Sequence, residues 1–71
     1  MESTNFVDQF KRRYLFPIYN NWGAGRLARG QYETAIADCT RAIELRPHEA
    51  TPYLNRGSAH YQLGNSEAAC R

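Results

Sequence analysis

No long apolar run, no paired CxxC cysteines and no excess of one charge mark this 71-residue sequence, and each absence closes a class of function. A membrane-spanning helix needs about 20 consecutive apolar residues, and none is present. The opening MESTNFVDQFKRR carries an early acid and lacks the apolar middle of a signal peptide, so a cytoplasmic protein is expected. Cys39 and Cys70 form no metal spacing and read as small hydrophobes with free thiols, suited to a reducing compartment. The net charge of +2 provides no global field toward nucleic acid or membrane. His48 and His60 belong to no HExxH pair, and there is no P-loop; no catalytic residue, cofactor or metal is expected. The length allows one small domain whose core is marginal without further support.

What the chain does have is internal repetition. Laid 34 residues downstream on itself, Phe16–Ala37 meets Ala50–Arg71, and six of the 22 pairs are identical: Tyr19/Tyr53, Asn21/Asn55, Gly23/Gly57, Gly30/Gly64, Glu33/Glu67 and Ala35/Ala69. Unrelated stretches of that length share about one or two. A period in this range marks a stacked repeat, in which helical hairpins bury their apolar stripes against one another.

Helical spacing of Phe6, Val7, Phe10 and Tyr14 predicts a helix over 3–15, capped by Thr4 or Asn5, and Pro17 predicts a break near Phe16. A second helix runs from about 17 to 29 with Ile18, Tyr19, Trp22 and Leu27 on its apolar face. Gly23 inside it costs roughly 1 kcal/mol relative to alanine, which implies close approach of a neighbouring helix there and, by the repeat, at Gly57. Gly30 is the expected left-handed residue ending that helix. Over 31–45, Tyr32, Ala35, Ile36, Cys39, Ala42 and Ile43 form one apolar stripe, with Glu33, Asp38, Arg41 and Glu44 turned to water. Arg46-Pro47 stops it. The next helix is expected over 52–63 with Tyr53, Leu54, Ala59, Tyr61 and Leu63, ended by Gly64-Asn65, and a further helix starts at Ser66.

These residues resemble the tetratricopeptide repeat (TPR) family, whose 34-residue units are helix–turn–helix hairpins. Tyr19, Gly23, Gly30, Tyr32, Ala35, Ala42 and Pro47 fit one unit, and Tyr53, Gly57, Tyr61, Gly64 and Ala69 fit the next. GQYETAIADCTRAIELRP is the densest match. The departures are Trp22 and Arg56 where leucine is usual, Arg26 and His60 in place of an aromatic, and Ser66 where the first unit has Tyr32. The resemblance implies an all-α fold of antiparallel hairpins stacked as a short right-handed α-solenoid. It divides the chain into an extension (1–15), a whole unit (16–49) and a unit shortened in its second helix (50–71). Such an array either belongs to a longer scaffold or associates with itself or another protein to finish its core.

Function in this family implies protein–protein interaction on the concave face, with no chemistry. By the family pattern that face takes Asn20, Ala24, Leu27 and Ala28 from the first unit, and Thr51, Leu54, Asn55, Ser58, Tyr61 and Gln62 from the second. Amides and hydroxyls among Leu27, Leu54 and Tyr61 suit a peptide held by backbone hydrogen bonds and a few apolar anchors. The alternative for Leu27 and Tyr61 is ordinary interhelical packing. Some members grip the carboxylate tail of heat-shock chaperones with lysines, asparagines and an arginine. Asn55 matches one clamp asparagine, but Asn20 and Ala24 replace the first-helix lysine and asparagine, so that ligand is not expected. The rival class is weak binding of RNA or another anionic surface through Lys11-Arg12-Arg13 with Arg26 and Arg29.

Overall fold

A computed structural model describes residues 6–69 as helices joined by short turns, with no strand among them. α1 spans Phe6–Phe10, a π-helical stretch spans Lys11–Leu15, and α2 (Phe16–Ala28), α3 (Tyr32–Leu45) and α4 (Ala50–Ala69) follow. α3 packs against both α2 and α4, which also touch each other.

The position of α3 explains its composition. Ala35, Cys39 and Ala42 recur at i, i+4 and i+7 and are fully buried, with Ile36 and Ile43 half-buried beside them. Small side chains here let two helices approach the same stripe. The partners match: Gly23 on α2 and Ala59 and Pro52 on α4 are buried, and Phe16 adds the one buried aromatic ring among the described residues. A Cβ at Gly23 would stand 2.8 Å from Cys39 Sγ, a distance real Cβ atoms do not reach, so glycine is what permits this seam. The expected close approach at Gly23 is therefore met.

The turn after α2 forms as its sequence predicts. Gly30 has φ +80, Gly30 N–H bonds Leu27 O at 3.1 Å, and Gln31 N–H bonds Arg26 O at 2.8 Å. This pair of bonds satisfies carbonyls that a helix end leaves free. At the end of α3, Arg46 is extended ahead of Pro47, and Tyr53 O–H donates to Pro47 O at 3.1 Å across the turn.

Several expectations do not hold. No break occurs at Phe16, which is helical at φ −55, ψ −52. The chain widens instead into π geometry, and Phe16 N–H bonds Lys11 O, five residues back. That widening carries Pro17 past the carbonyls its ring would strike in an α-helix. In this register Arg12 O faces Pro17, which has no N–H to give. Arg46 Nε donates to Arg12 O instead, at 3.0 Å, while its guanidinium lies 4.7 Å above the Phe16 ring. The N-terminal helix thus runs on into α2; its π-helical stretch touches α3, whereas α1 touches neither α3 nor α4. Phe6, Val7, Phe10 and Tyr14 are exposed.

Gly64-Asn65 does not end a helix, and no new helix begins at Ser66: α4 runs unbroken through them to Ala69. Glycine permits a left-handed turn without enforcing one. The turn at Gly30 is followed by a stripe able to bury itself that begins at Tyr32, whereas Ser66 stands at the matching place after Gly64. Gly57 packs against nothing within 4 Å, because no helix among the described residues lies on that side of α4. On α2, Ile18 and Trp22 turn to solvent, and on α4 so do Tyr53, Leu54 and Tyr61. Asp38 leaves water to pair with Arg26. Cys70 lies outside the described residues.

Candidate interaction surface

Helix–turn–helix packing places α2 and α4 side by side against α3, so the candidate residues come from two neighbouring helices. On α4, Thr51, Leu54, Ser58, Tyr61 and Gln62 are exposed and Asn55 is half-buried. Leu54 is 70 % exposed and Tyr61 67 %, an unusual display for apolar groups of this size. Leu54, Ser58, Tyr61 and Gln62 line one shallow depression of about 380 Å³ together with Tyr53 and Gly57.

The α2 candidates behave differently. Ala24 and Ala28 are exposed, Leu27 and Asn20 are half-buried, and none of the four lines that depression. Asn20 turns its Oδ1 inward, where it has no hydrogen-bond partner among the described residues. Tyr53 and Gly57, which the sequence reading assigned to packing, line the same depression. The signal for them was the spacing Tyr53, Gly57, Tyr61, one position per turn along a single face.

Polar anchors fix the helices behind this surface. Arg56 reaches inward to Thr40 Oγ1 at 3.3 Å, and Thr40 donates to Ile36 O at 2.8 Å. Arg26 Nε lies 2.6 Å from Asp38 Oδ2, an ion pair joining α2 to α3. Burial first, then the Asp38 carboxylate, pushes the Cys39 thiol up, with Arg56 opposing. A thiol held neutral is a poor nucleophile.

The basic residues do not converge. Lys11, Arg12 and Arg13 are exposed in the π-helical stretch ahead of α2, while Arg26 and Arg29 stand at the far end of α2, about 20 Å away at 1.5 Å per residue. Arg26 is already paired. Among the described residues no three His, Cys, Asp or Glu side chains are placed to hold a metal, and no helix is long and apolar enough to cross a membrane.

An all-α hairpin with a third helix repeating the first, and a mixed surface without clustered catalytic groups, defines a helical-repeat protein. The family model described as TPR repeat matches residues 26–64, and the chain belongs to that family. TPR repeats are a protein-interaction fold rather than an enzymatic one. The chain is similar to a Protein STIP1 homolog of Dictyostelium discoideum (40% identical over 52 residues, 73% of this chain) and to an Hsp70-Hsp90 organizing protein of Triticum aestivum (35% over 52 residues, also 73% of this chain). It is also similar to Sperm-associated antigen 1A of Danio rerio (41% over 49 residues, 69% of this chain). The matches span 9% of each of the first two relatives and 12% of the third. No solved structure matches significantly.

Proposed function

We propose that this chain holds a peptide or protein partner on the concave face of its repeats, along Asn20, Ala24, Leu27 and Ala28 of α2 and Thr51, Leu54, Asn55, Ser58, Tyr61 and Gln62 of α4. The observation that carries the reading is the exposed depression on α4, where three large side chains, Tyr53, Leu54 and Tyr61, sit beside a hydroxyl and an amide. Tyr61 is the anchor, since a tyrosine offers large area at low entropic cost. In this reading residues 16–49 form a whole unit, residues 50–71 a second unit shortened in its second helix and residues 1–15 an extension. The free, buried thiol of Cys39 suits the cytoplasm.

One relative is named an Hsp70-Hsp90 organizing protein, but the clamp positions here carry Asn20 and Ala24, with no positive charge to meet a carboxylate tail. The proposed ligand is therefore a mixed apolar and amide peptide. The separation of the basic groups, one set in the π-helical stretch and the other at the end of α2, disfavours an RNA partner. Panning a displayed library of random peptides against the chain, then titrating the best binder, tests this. Tyr61→Ala should weaken it by about tenfold or more with helicity intact, while Glu33→Ala on the outer side of α3 leaves it unchanged. Equal affinity for all three proteins would sink the proposal, as would affinity that collapses with salt in the manner of phosphate contacts.

A further inference from the structure

α4 has two faces of opposite character. Pro52, Asn55, Arg56, Ala59 and Leu63 face inward and are buried or half-buried. The outward stripe is Ala50, Tyr53, Leu54, Gly57, Tyr61 and Gly64, all exposed. It contains no charge: the one charged residue between Ala50 and Asn65 is Arg56, which is committed to Thr40 and to the Tyr53 ring.

Four positions of the stripe pair about its middle. Tyr53 stands four residues before Gly57 and Tyr61 four after; Ala50 stands seven before and Gly64 seven after. A two-fold rotation that sets a second α4 antiparallel across Gly57 therefore maps these four flanking positions onto one another and brings Leu54, three residues before Gly57, level with the exposed His60, three after. Tyr53 of one copy comes level with Tyr61 of the other, and Ala50 with Gly64. Neither Gly57 nor Gly64 has any atom within 4 Å of the place a Cβ would take, so bare backbone is open at the crossing point. The molecule already shows what such a glycine allows, since Gly23 brings α3 close enough that a Cβ would collide with Cys39 Sγ.

We propose that α4 is a self-association surface on which a second copy of this chain docks antiparallel across Gly57, forming a two-fold dimer. An isologous interface must be its own complement, and a charge-free stripe with matching ends meets that condition without like-charge repulsion. The tyrosines supply buried aromatic area, and the depression of about 380 Å³ beside Gly57 receives the partner's ring. The inference stands apart from peptide capture but shares Leu54 and Tyr61 with it, so a concave-face ligand competes with the dimer.

Sedimentation equilibrium of the full chain over a hundredfold concentration range tests the proposal, together with Gly57→Arg. The open space at Gly57 accommodates the arginine within one copy, but a dimer would bring two guanidinium groups together at its axis. The expected result is a monomer–dimer equilibrium for the native chain, and monomer throughout for Gly57→Arg with the same far-UV helicity. Oxidative cross-linking is the second measurement. In a Cys70→Ser background, Gly57→Cys should convert largely to disulfide-linked dimer, whereas Gly25→Cys, equally open but on α2, should not. A native chain that stays monomeric overturns the proposal, as does a dimer indifferent to Gly57→Arg. A monomer that still binds the panned peptide in a Tyr61-dependent way removes the dimer and leaves the peptide reading standing. A Gly57-dependent dimer without peptide affinity does the reverse.

Discussion

Gly23 and Gly57 occupy the same place in the 34-residue period, yet Gly23 sits in a seam too tight for any Cβ while Gly57 faces open space. The same holds for Gly30 and Gly64: Gly30 turns the chain at φ +80, and Gly64 lies inside an uninterrupted helix. The difference lies in what each glycine meets. Gly23 and Gly30 serve a hairpin whose second helix carries Ala35, Cys39 and Ala42 to bury. Gly57 and Gly64 have no such helix against them among the described residues. A repeat in sequence thus specifies a repeat in structure only where the packing partner is supplied as well.

The largest expected effect separates the first pair. Gly23→Leu should drive a side chain into Cys39 and the α3 backbone, costing about 3 kcal/mol, as overpacking of a tight seam does. A domain of this size would then melt some 10–20 °C lower. Gly57→Leu, compared in dilute solution, should melt at or above the native temperature, because the helix gains propensity and nothing is displaced. Equal melting of the two variants would mean that α2 and α3 do not approach at Gly23.

A smaller effect of opposite sign separates the second pair. Gly30→Ala places a side chain in the left-handed region and should cost about 1 kcal/mol. Gly64→Ala removes a glycine from a helix interior and should add up to about 1 kcal/mol. Chemical denaturation with a common slope resolves both. If Gly64→Ala destabilised the chain as Gly30→Ala does, Gly64 would be turning in solution and α4 would not be continuous.

These contrasts also mark what the sequence could reveal. The period, the stripe from Tyr32 to Ile43 and the turn at Gly30 were legible because each rests on local spacing plus a burial partner within the same hairpin. The break at Phe16 was misread: Pro17 removes an N–H, but π geometry and the Arg46 guanidinium together satisfy what it leaves open. No local rule shows that Arg46, 34 residues away, would serve Arg12. For the surface, Leu54, Ser58, Tyr61 and Gln62 were named from the repeat pattern and share one depression. Tyr53 and Gly57 were assigned to packing because the repeat implied a neighbouring helix. Their exposure depends on which helices are present, and spacing alone cannot count them.

The smallest effect concerns the seam from its other side, at the thiol that Gly23 accommodates. Cys39 is buried, and its pKa is raised by that burial and by the Asp38 carboxylate, against an opposing pull from Arg56. The folded chain therefore keeps its proton at a pH where the unfolded chain has begun to lose it. The resulting stability is fully present below the unfolded thiol's pKa of about 8.5 and declines as pH rises through that value toward the higher folded one. Native chain should accordingly lose stability between neutral and strongly alkaline pH more steeply than Cys39→Ala, which has no thiol to ionise. Comparing the two by denaturant midpoint across that range isolates the contribution, since every other titrating group is common to both. Parallel pH profiles would show that the thiol titrates alike in the folded and unfolded chains. The Gly23–Cys39 seam would then be open enough for water to reach the sulfur, and the contrast with the open face of α4 would lose its physical basis.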